Sequence, residues 1–288
     1  MYSYYHQALA CGPTQRSIRS LLFLLFLSFC VSAQGFAWDE PITHCKFIVI
    51  TLEKCGTHLL TSAIERLLNK TAHHWYVRYR HPDQVIERLD QADNKDWFLQ
   101  THSLPTKDLI DLLKKNEYKV VFLIRDPRDQ MVSLVHYLES GWEYGPKIDD
   151  KHFGPLPFNE KLLEVITGMR YGVSALKDVM GRKLPWIYQS PDFVHIVRFE
   201  NLVGAEGGGC NELKLLEMRL LAQFLEVNLS DEQIHKRSQN IFGQDPTTFR
   251  KGKMGQWKKT FKQVHCNAFK DVFGKELIEL GYETDLNW

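Results

Sequence analysis

Lys46-Phe47-Ile48-Val49-Ile50-Thr51-Leu52-Glu53-Lys54-Cys55-Gly56-Thr57-His58 is the stretch whose reading decides the fold. Lys46 to Thr51 is a short apolar run suited to a strand buried on both faces. From Thr57 to Lys70 the residues Leu60, Ile64, Leu67 and Leu68 recur at helical spacing. Between strand and helix stand a lysine, a small residue, a glycine and a threonine. A backbone cradles phosphate with such an arrangement: main-chain N–H groups and the helix dipole face the anion, and the lysine adds a point charge. The nucleoside-triphosphate loop G-x-x-x-x-G-K-[ST] is not matched, because its first glycine and its Gly-Lys order are absent. Taken by itself the stretch also reads as an ordinary strand-to-helix turn with an exposed lysine.

Working outward, strands and helices alternate. Trp97-Phe98-Leu99 is a second strand, Pro105 to Asn116 a helix with proline at its start, and Val120 to Ile124 a third strand. Met131 to Glu139 is helical, Gly141 to Pro157 is a loop rich in glycine, proline and aromatics, and Phe158 to Met180 is a longer helix. A buried strand, Val194 to Phe199, precedes a loop at Gly207-Gly208-Gly209 and helices near Leu213 to Leu225 and Asp231 to Asn240. This order predicts an α/β fold: one domain with a central parallel sheet flanked by helices, a P-loop-like turn, and ligands at the carboxyl ends of the strands.

The chain has 288 residues with 36 Lys+Arg against 35 Asp+Glu, and a formal net charge of +1. So balanced a chain has no global field to draw it onto nucleic acid, and anion binding must come from local clusters. The six cysteines form no C-x-x-C pair, and His73-His74 has no cysteine partner at zinc spacing, so no metal site is expected. Arg16 and Arg19 precede an apolar run from Leu21 to Val31, followed by Val31-Ser32-Ala33 as a small-residue cleavage site. Residues 1–33 therefore read as a cleaved signal peptide, and 34–288 as the functional domain, in the secretory pathway or secreted. A retained signal anchor, which would put the chain on a membrane, is the alternative. Its apolar part is short of the about 20 residues a spanning helix needs.

Two further basic constellations follow. Arg125-Asp126-Pro127-Arg128-Asp129-Gln130-Met131-Val132-Ser133 puts an arginine at a strand end and a serine two helical turns on, both able to hold an oxyanion. Phe249-Arg250-Lys251-Gly252-Lys253-Met254-Gly255-Gln256-Trp257-Lys258 combines positive charge with glycines that allow a mobile loop to fold over a phosphorylated ligand. Arg125 paired only with Asp126 or Asp129, and a merely solvated lysine loop, are the plain readings of each alone. Three anion sites at strand ends are harder to dismiss together.

In order and spacing these segments resemble the cytosolic-type sulfotransferase family, which moves a sulfuryl group from 3'-phosphoadenosine 5'-phosphosulfate to an acceptor. Thr51 to Leu59 resembles its T-Y-P-K-S-G-T-T-W, Arg125 to Ser133 its R-x-P-x-D-x-x-x-S, and Arg250 to Lys258 its R-K-G-x-x-G-x-W-K. Gln100-Thr101-His102-Ser103-Leu104-Pro105 resembles K-T-H-x-P, and Phe199-Glu200-Asn201-Leu202 resembles Y-E-D-L, so the similarity spans roughly Phe47 to Phe269. The resemblance implies that Lys54, Cys55, Gly56, Thr57 and His58 hold the 5'-phosphosulfate. It implies that Arg125, Ser133, Arg250, Lys251 and Gly252 hold the 3'-phosphate, with Phe199 an aromatic candidate beside the nucleotide. Lys54 would neutralise the leaving group and His102 would take the acceptor proton. A histidine suits that role because its ordinary pKa of about 6.5 keeps a neutral fraction near pH 7.

The sequence departs from the family pattern at Gln100, where the family has lysine, at Leu59, where it has a tryptophan against adenine, and at Gln239, in place of a second stacking aromatic. The family's short dimer signature is missing from Lys258 to Asn267, so no oligomeric state is implied. The acceptor is expected to be a small molecule, lipid or glycan carrying a hydroxyl or amine, held among Tyr137 to Phe158 and Met169 to Val173. A P-loop kinase and a catalytically silent nucleotide-binding protein are the competing readings. No acidic residue stands in a convincing magnesium-holding context, which a kinase needs.

Overall fold

Five short strands pair side by side in parallel, in the order β2-β3-β1-β4-β5. They are β1 (Phe47–Thr51), β2 (Thr71–His74), β3 (Trp97–Thr101), β4 (Lys119–Ile124) and β5 (Val194–Arg198). The computed structural model describes residues 45–74, 82–93, 97–140, 150–168, 176–243 and 251–288, all of them in one compact unit, Thr43–Trp288. The expected signal segment, residues 1–33, lies outside the described residues, as do Phe249 and Arg250. Every residue of β1 is buried, which is what its unbroken apolar run requires of a central parallel strand.

The helices are α1 (Thr57–Leu68), α2 (Pro82–Asp93), α3 (Lys107–Lys115), α4 (Pro127–Glu139), α5 (Asp150–Phe153) and α6 (Phe158–Thr167). After β5 come α7 (Phe199–Leu202), α8 (Asn211–Phe224), α9 (Asp231–Arg237), α10 (Trp257–Thr260) and α11 (Gln263–Glu279). The chain leaves β1 toward β2 on one side and leaves β4 toward β5 on the other. Right-handed crossovers therefore place α1 and α4 on opposite faces of the sheet. Their neighbours agree, since α1 packs with α7 and α9 while α4 packs with α6 and α10. The divergence between β1 and β4 opens the crevice where ligands of such sheets bind.

Pairing aligns the carboxyl ends of the strands. Ile50 lies opposite Thr101, Thr51 opposite Leu123, and Ile124 opposite Arg198. The turn after β1, His102 after β3, Arg125 after β4 and Phe199 after β5 therefore share one edge of the sheet.

Several elements differ from the sequence expectation. The helix foreseen from Phe158 to Met180 stops at Thr167, because Gly168 adopts a φ of 69° as its cap. Lys177–Gly181 forms a separate π-helical turn. The helix expected from Pro105 starts at Lys107, with the Thr106 side chain accepting from the Leu109 N–H. β2, α2 and α11 were not foreseen. The edge strand Thr71-Ala72-His73-His74 has no apolar run, and α11 has only a weak helical pattern, with a kink at Phe273.

Candidate active site

The turn after β1 is shaped by two residues with left-handed backbone, Lys54 (φ 62°) and Gly56 (φ 103°). Such residues, two apart, curl main-chain N–H groups toward a common point, as anion-binding nests do. Only glycine fits at position 56. A Cβ there would stand 2.5 Å from a ring carbon of Phe199, besides the penalty of its positive φ. Gly56 is also the N-cap of α1, with no side-chain cap, and the first turn of α1 has no acidic residue. The Leu59 and Leu60 N–H groups donate to the Gly56 carbonyl oxygen at 3.0 and 3.2 Å, and the positive end of the dipole ahead of them suits an anion.

Cys55 is fully buried and its thiol donates to the Leu52 carbonyl oxygen at 2.7 Å. Burial first, and the nearby Glu53 charge second, push the thiol up to about 12. The side chain is a small apolar plug beneath the turn, not a nucleophile. Lys54 holds its ammonium 3.9 Å from the centre of the Tyr137 ring, which lies one helical turn beyond Ser133 on α4. Thr57 and His58 are half-buried at the start of α1.

Arg125 joins the three basic segments. One terminal nitrogen donates to the Lys54 carbonyl oxygen at 3.3 Å, the other to the Lys253 carbonyl oxygen at 2.9 Å. Its guanidinium carbon lies 4.2 Å from the centre of the Phe199 ring, and its Nε is buried with no hydrogen-bond partner among the described residues. Phe199, 2% exposed, therefore supports both Gly56 and Arg125 from below. Of the two carboxylates foreseen as partners of Arg125, Asp126 instead binds Arg128 at 2.9 Å, whereas Asp129 lies 4.0 Å from Arg125.

Asp129 has a second function that its sequence position does not reveal. One of its oxygens accepts from the Gly255 N–H at 2.6 Å and the other from the Trp257 N–H at 2.9 Å. Burial pushes its carboxyl above the ordinary value, while the Arg125 charge and these N–H groups pull it back. The Met254 N–H donates to the Gly207 carbonyl oxygen at 3.0 Å, and a Cβ on Gly207 would meet the Gly252 carbonyl oxygen at 2.7 Å. The glycines of the closing segment supply positive φ at Gly252 (56°) and Gly255 (71°), and its main chain is tied down at Lys253, Met254, Gly255 and Trp257. Lys251 is exposed beside it. Arg128, between Trp257 (3.7 Å) and Trp288 (4.6 Å), anchors the end of that segment.

His102 is half-buried just beyond β3. Its Nδ1 lies 2.8 Å from the Thr51 carbonyl oxygen and 3.0 Å from Thr51 Oγ1. A carbonyl only accepts, so this partner assigns the proton to Nδ1 and leaves the lone pair on Nε2, the arrangement a general base needs. Thr51 Oγ1 is in turn 2.9 Å from Thr57 Oγ1 and accepts from Gln100 Nε2 at 3.2 Å. His102 and the phosphate turn therefore meet at Thr51. Behind them, Glu200 accepts from the Asp126 N–H at 2.8 Å and from the Tyr282 hydroxyl at 3.1 Å. Burial raises the Glu200 carboxyl, and burial first and the Glu200 charge second hold Tyr282 well above its ordinary value.

The structure thus brings together Lys54, Cys55, Gly56, Thr57, His58, Arg125, Phe199 and Gly252 around one edge, with His102 beside them and Ser133 on α4. Leu59 is buried on the core face of α1, and Gln239 is exposed after α9. Arg250, residues 141–149 and residues 169–175 lie outside the described residues. Thr51 and Asp129 were missed as site residues, and Tyr137, expected on the acceptor side, was not expected to hold the Lys54 ammonium. Asp129 had a signal, an acid four residues after an arginine on a helix otherwise built to bind anions.

A family model described as "Sulfotransferase domain" matches residues 44–281. Comparison with curated proteins finds no match. Among solved structures, the chain is similar to mouse sulfotransferase SULT7A1 complexed with PAP, at 16% identity and a TM-score of 0.60, covering 82% of this chain and 86% of that one. It is also similar to retinol dehydratase in complex with androsterone and inactive cofactor PAP, at 17% identity and a TM-score of 0.55, covering 80% of each chain. A retinol dehydratase complex with retinol and PAP gives 17% identity and a TM-score of 0.53, again over 80% of each.

Proposed function

Because the chain belongs to the sulfotransferase domain family, we propose that its site takes 3'-phosphoadenosine 5'-phosphosulfate and transfers the sulfuryl group to a hydroxyl, with His102 as base. The observation that carries this reading is the bridge made by Arg125. It joins the phosphate turn at Lys54 to the closing segment at Lys253, so that groups suited to two separate phosphates face one crevice. The residues fit such a donor. The start of α1 has no side-chain cap and no acid, and the buried Nε of Arg125 is left to donate. Ser133, Arg250, Lys251 and Gly252 complete the 3'-phosphate side in this reading, and Phe199 serves by positioning Arg125 and Gly56.

The step needs little covalent work from the protein. His102 Nε2 takes the proton of the acceptor hydroxyl as its oxygen bonds to sulfur. The bond from sulfur to the 5'-phosphate oxygen breaks, and adenosine 3',5'-bisphosphate leaves with the electron pair. Lys54 and the N–H groups at the start of α1 stabilise the charge gathering on that phosphate. In this reading the Lys54 ammonium, held at the Tyr137 ring, serves that phosphate. The acceptor class is a hydroxyl-bearing small molecule, a reading supported by the androsterone and retinol held by two of the similar structures. We assign residues 1–33 as a signal peptide that delivers the domain to the secretory pathway. Mass spectrometry of the mature protein is expected to find its start near Gln34, and an intact first segment would replace this assignment with an anchor.

The enzymatic test is transfer from the sulfuryl donor to a panel of small hydroxyl compounds. The wild-type protein is expected to turn over, and His102→Ala to lose about 10² to 10⁴ in rate while binding adenosine 3',5'-bisphosphate nearly as well. A His102→Ala protein with undiminished turnover would remove the base. Bisphosphate binding without transfer by the wild type would leave a silent binder.

A further inference from the structure

Thr51 ends β1 with no exposed surface. Its hydroxyl oxygen is within hydrogen-bond reach of Gln100 Nε2 at 3.2 Å, Thr57 Oγ1 at 2.9 Å and His102 Nδ1 at 3.0 Å, and its carbonyl oxygen is 2.8 Å from the same Nδ1. Gln100 Nε2 also lies 3.2 Å from the Thr101 carbonyl oxygen. These distances fix where the protons go. A carbonyl oxygen accepts only, so the Gln100 atom facing Thr101 is the amide nitrogen, and its second proton points at Thr51 Oγ1. For the same reason His102 Nδ1 carries a proton for the Thr51 carbonyl and cannot accept one from the Thr51 hydroxyl. Of these three neighbours, only Thr57 Oγ1 can take the hydroxyl proton of Thr51. Thr57, accepting from Thr51, must turn its own proton elsewhere: its hydroxyl stands at the first residue of α1, with the Cys55 sulfur as a weak acceptor beside it and the positive end of the helix, which suits an anion, in front.

We propose that Thr51 is a positioning residue, the middle of a one-way hydrogen-bond chain running from Gln100 through Thr51 to Thr57. The chain aims the Thr57 hydroxyl proton at a 5'-phosphate oxygen of the nucleotide, while the Thr51 carbonyl holds His102 with its lone pair on Nε2. Gln100, standing where the family carries lysine, contributes direction in place of charge. The inference rests on the proposed nucleotide and deepens it, since it says how the phosphate turn and the base are set by one residue.

A double-mutant cycle reads the chain. Adenosine 3',5'-bisphosphate is titrated calorimetrically into the wild type, Thr51→Val, Thr57→Val and the double variant, each checked for an intact thermal transition. Thr57→Val is expected to weaken binding about three- to tenfold, the worth of one net hydrogen bond. Thr51→Val is expected to weaken it by a similar factor, Thr51→Ser to restore it, and the double variant to be no weaker than Thr57→Val alone. Fold-losses that multiply in the double variant would overturn the proposal. A second readout needs no nucleotide and no variant. The ¹⁵N shifts of His102 in the free protein are expected to show Nδ1 protonated and Nε2 unprotonated, and the reverse tautomer would overturn the chain. A wild type that binds no bisphosphate but shows the expected tautomer would instead refute the proposed nucleotide and leave the chain standing.

Discussion

The turn after β1 and the closing segment from Lys251 to Trp257 face the same crevice, yet they are held in different ways. The turn is shaped chiefly by its neighbours in sequence, a buried strand before it, a helix after it and left-handed backbone at Lys54 and Gly56, with the Phe199 ring, distant in the chain, packed beneath. The closing segment draws its order from a distance. Asp129 accepts two of its N–H groups, Arg125 donates to its Lys253 carbonyl, and Gly207 accepts from Met254. A loop rich in glycine and lysine can thus be held by a buried carboxylate on a neighbouring helix, and changes in α4 should be felt more than a hundred residues away in the chain.

The largest expected effect tests the first mode of support. Gly56→Ala forces a side chain into left-handed backbone and against Phe199, with strain and overpacking each worth about 1–3 kcal/mol. Thermal unfolding should shift down by several degrees, and bisphosphate binding should vanish. Adding Phe199→Leu should recover part of the stability but not the binding. Recovery of both would mean that steric fit alone, and not backbone conformation, shapes the turn.

The second mode is tested in α4. Asp129→Ala removes two hydrogen bonds to an ionised group, each worth about 1.5–3 kcal/mol, and leaves Arg125 without its nearest charge. Limited proteolysis should cut between Lys251 and Lys258 faster than in the wild type, and bisphosphate affinity should fall at least tenfold while β1 and its turn stay protected from hydrogen exchange. Asp129→Asn keeps one accepting oxygen and should lie between. Equal protection losses in both regions would show that they form one cooperative unit, and the contrast would dissolve.

A smaller effect concerns the buried acids behind the site. Burial raises the folded-state pKa of Glu200 and Asp129 above their ordinary values of 4.5 and 3.8. The folded protein therefore binds these protons more tightly than the unfolded chain. The stability they contribute is full below the ordinary carboxylate range and is lost as pH rises through the raised values. In Glu200→Gln the new amide can donate to the Tyr282 oxygen and its carbonyl can still accept from Asp126. Denaturant titrations from mildly acidic to neutral pH should show a flatter loss of stability in this variant than in the wild type. An unchanged slope would put the pH dependence elsewhere.

The same contrast explains what could be read before the structure was known. The turn after β1, Arg125 and His102 are local patterns at the ends of apolar strands, and the alternation of strands and helices places them on one edge. The roles of Asp129, Thr51 and Phe199 come from contacts across the sheet. Phe199 reads as an aromatic for the nucleotide but is 2% exposed beneath Gly56 and Arg125. The glycines near Gly255 suggest movement, yet the N–H groups around them are bonded to a carboxylate 126 residues away. β2 escapes because an edge strand of four residues carries no apolar period.

Calorimetric titration of the wild-type protein with adenosine 3',5'-bisphosphate, adenosine 5'-phosphate and ATP with magnesium tests the central claim most directly. The account predicts that the bisphosphate binds at least tenfold more tightly than the monophosphate, because a 3'-phosphate adds charge-assisted hydrogen bonds on the Arg125 side of the crevice, and that magnesium changes nothing. Equal affinity for bisphosphate and monophosphate, or tight binding of ATP that depends on magnesium, would contradict it.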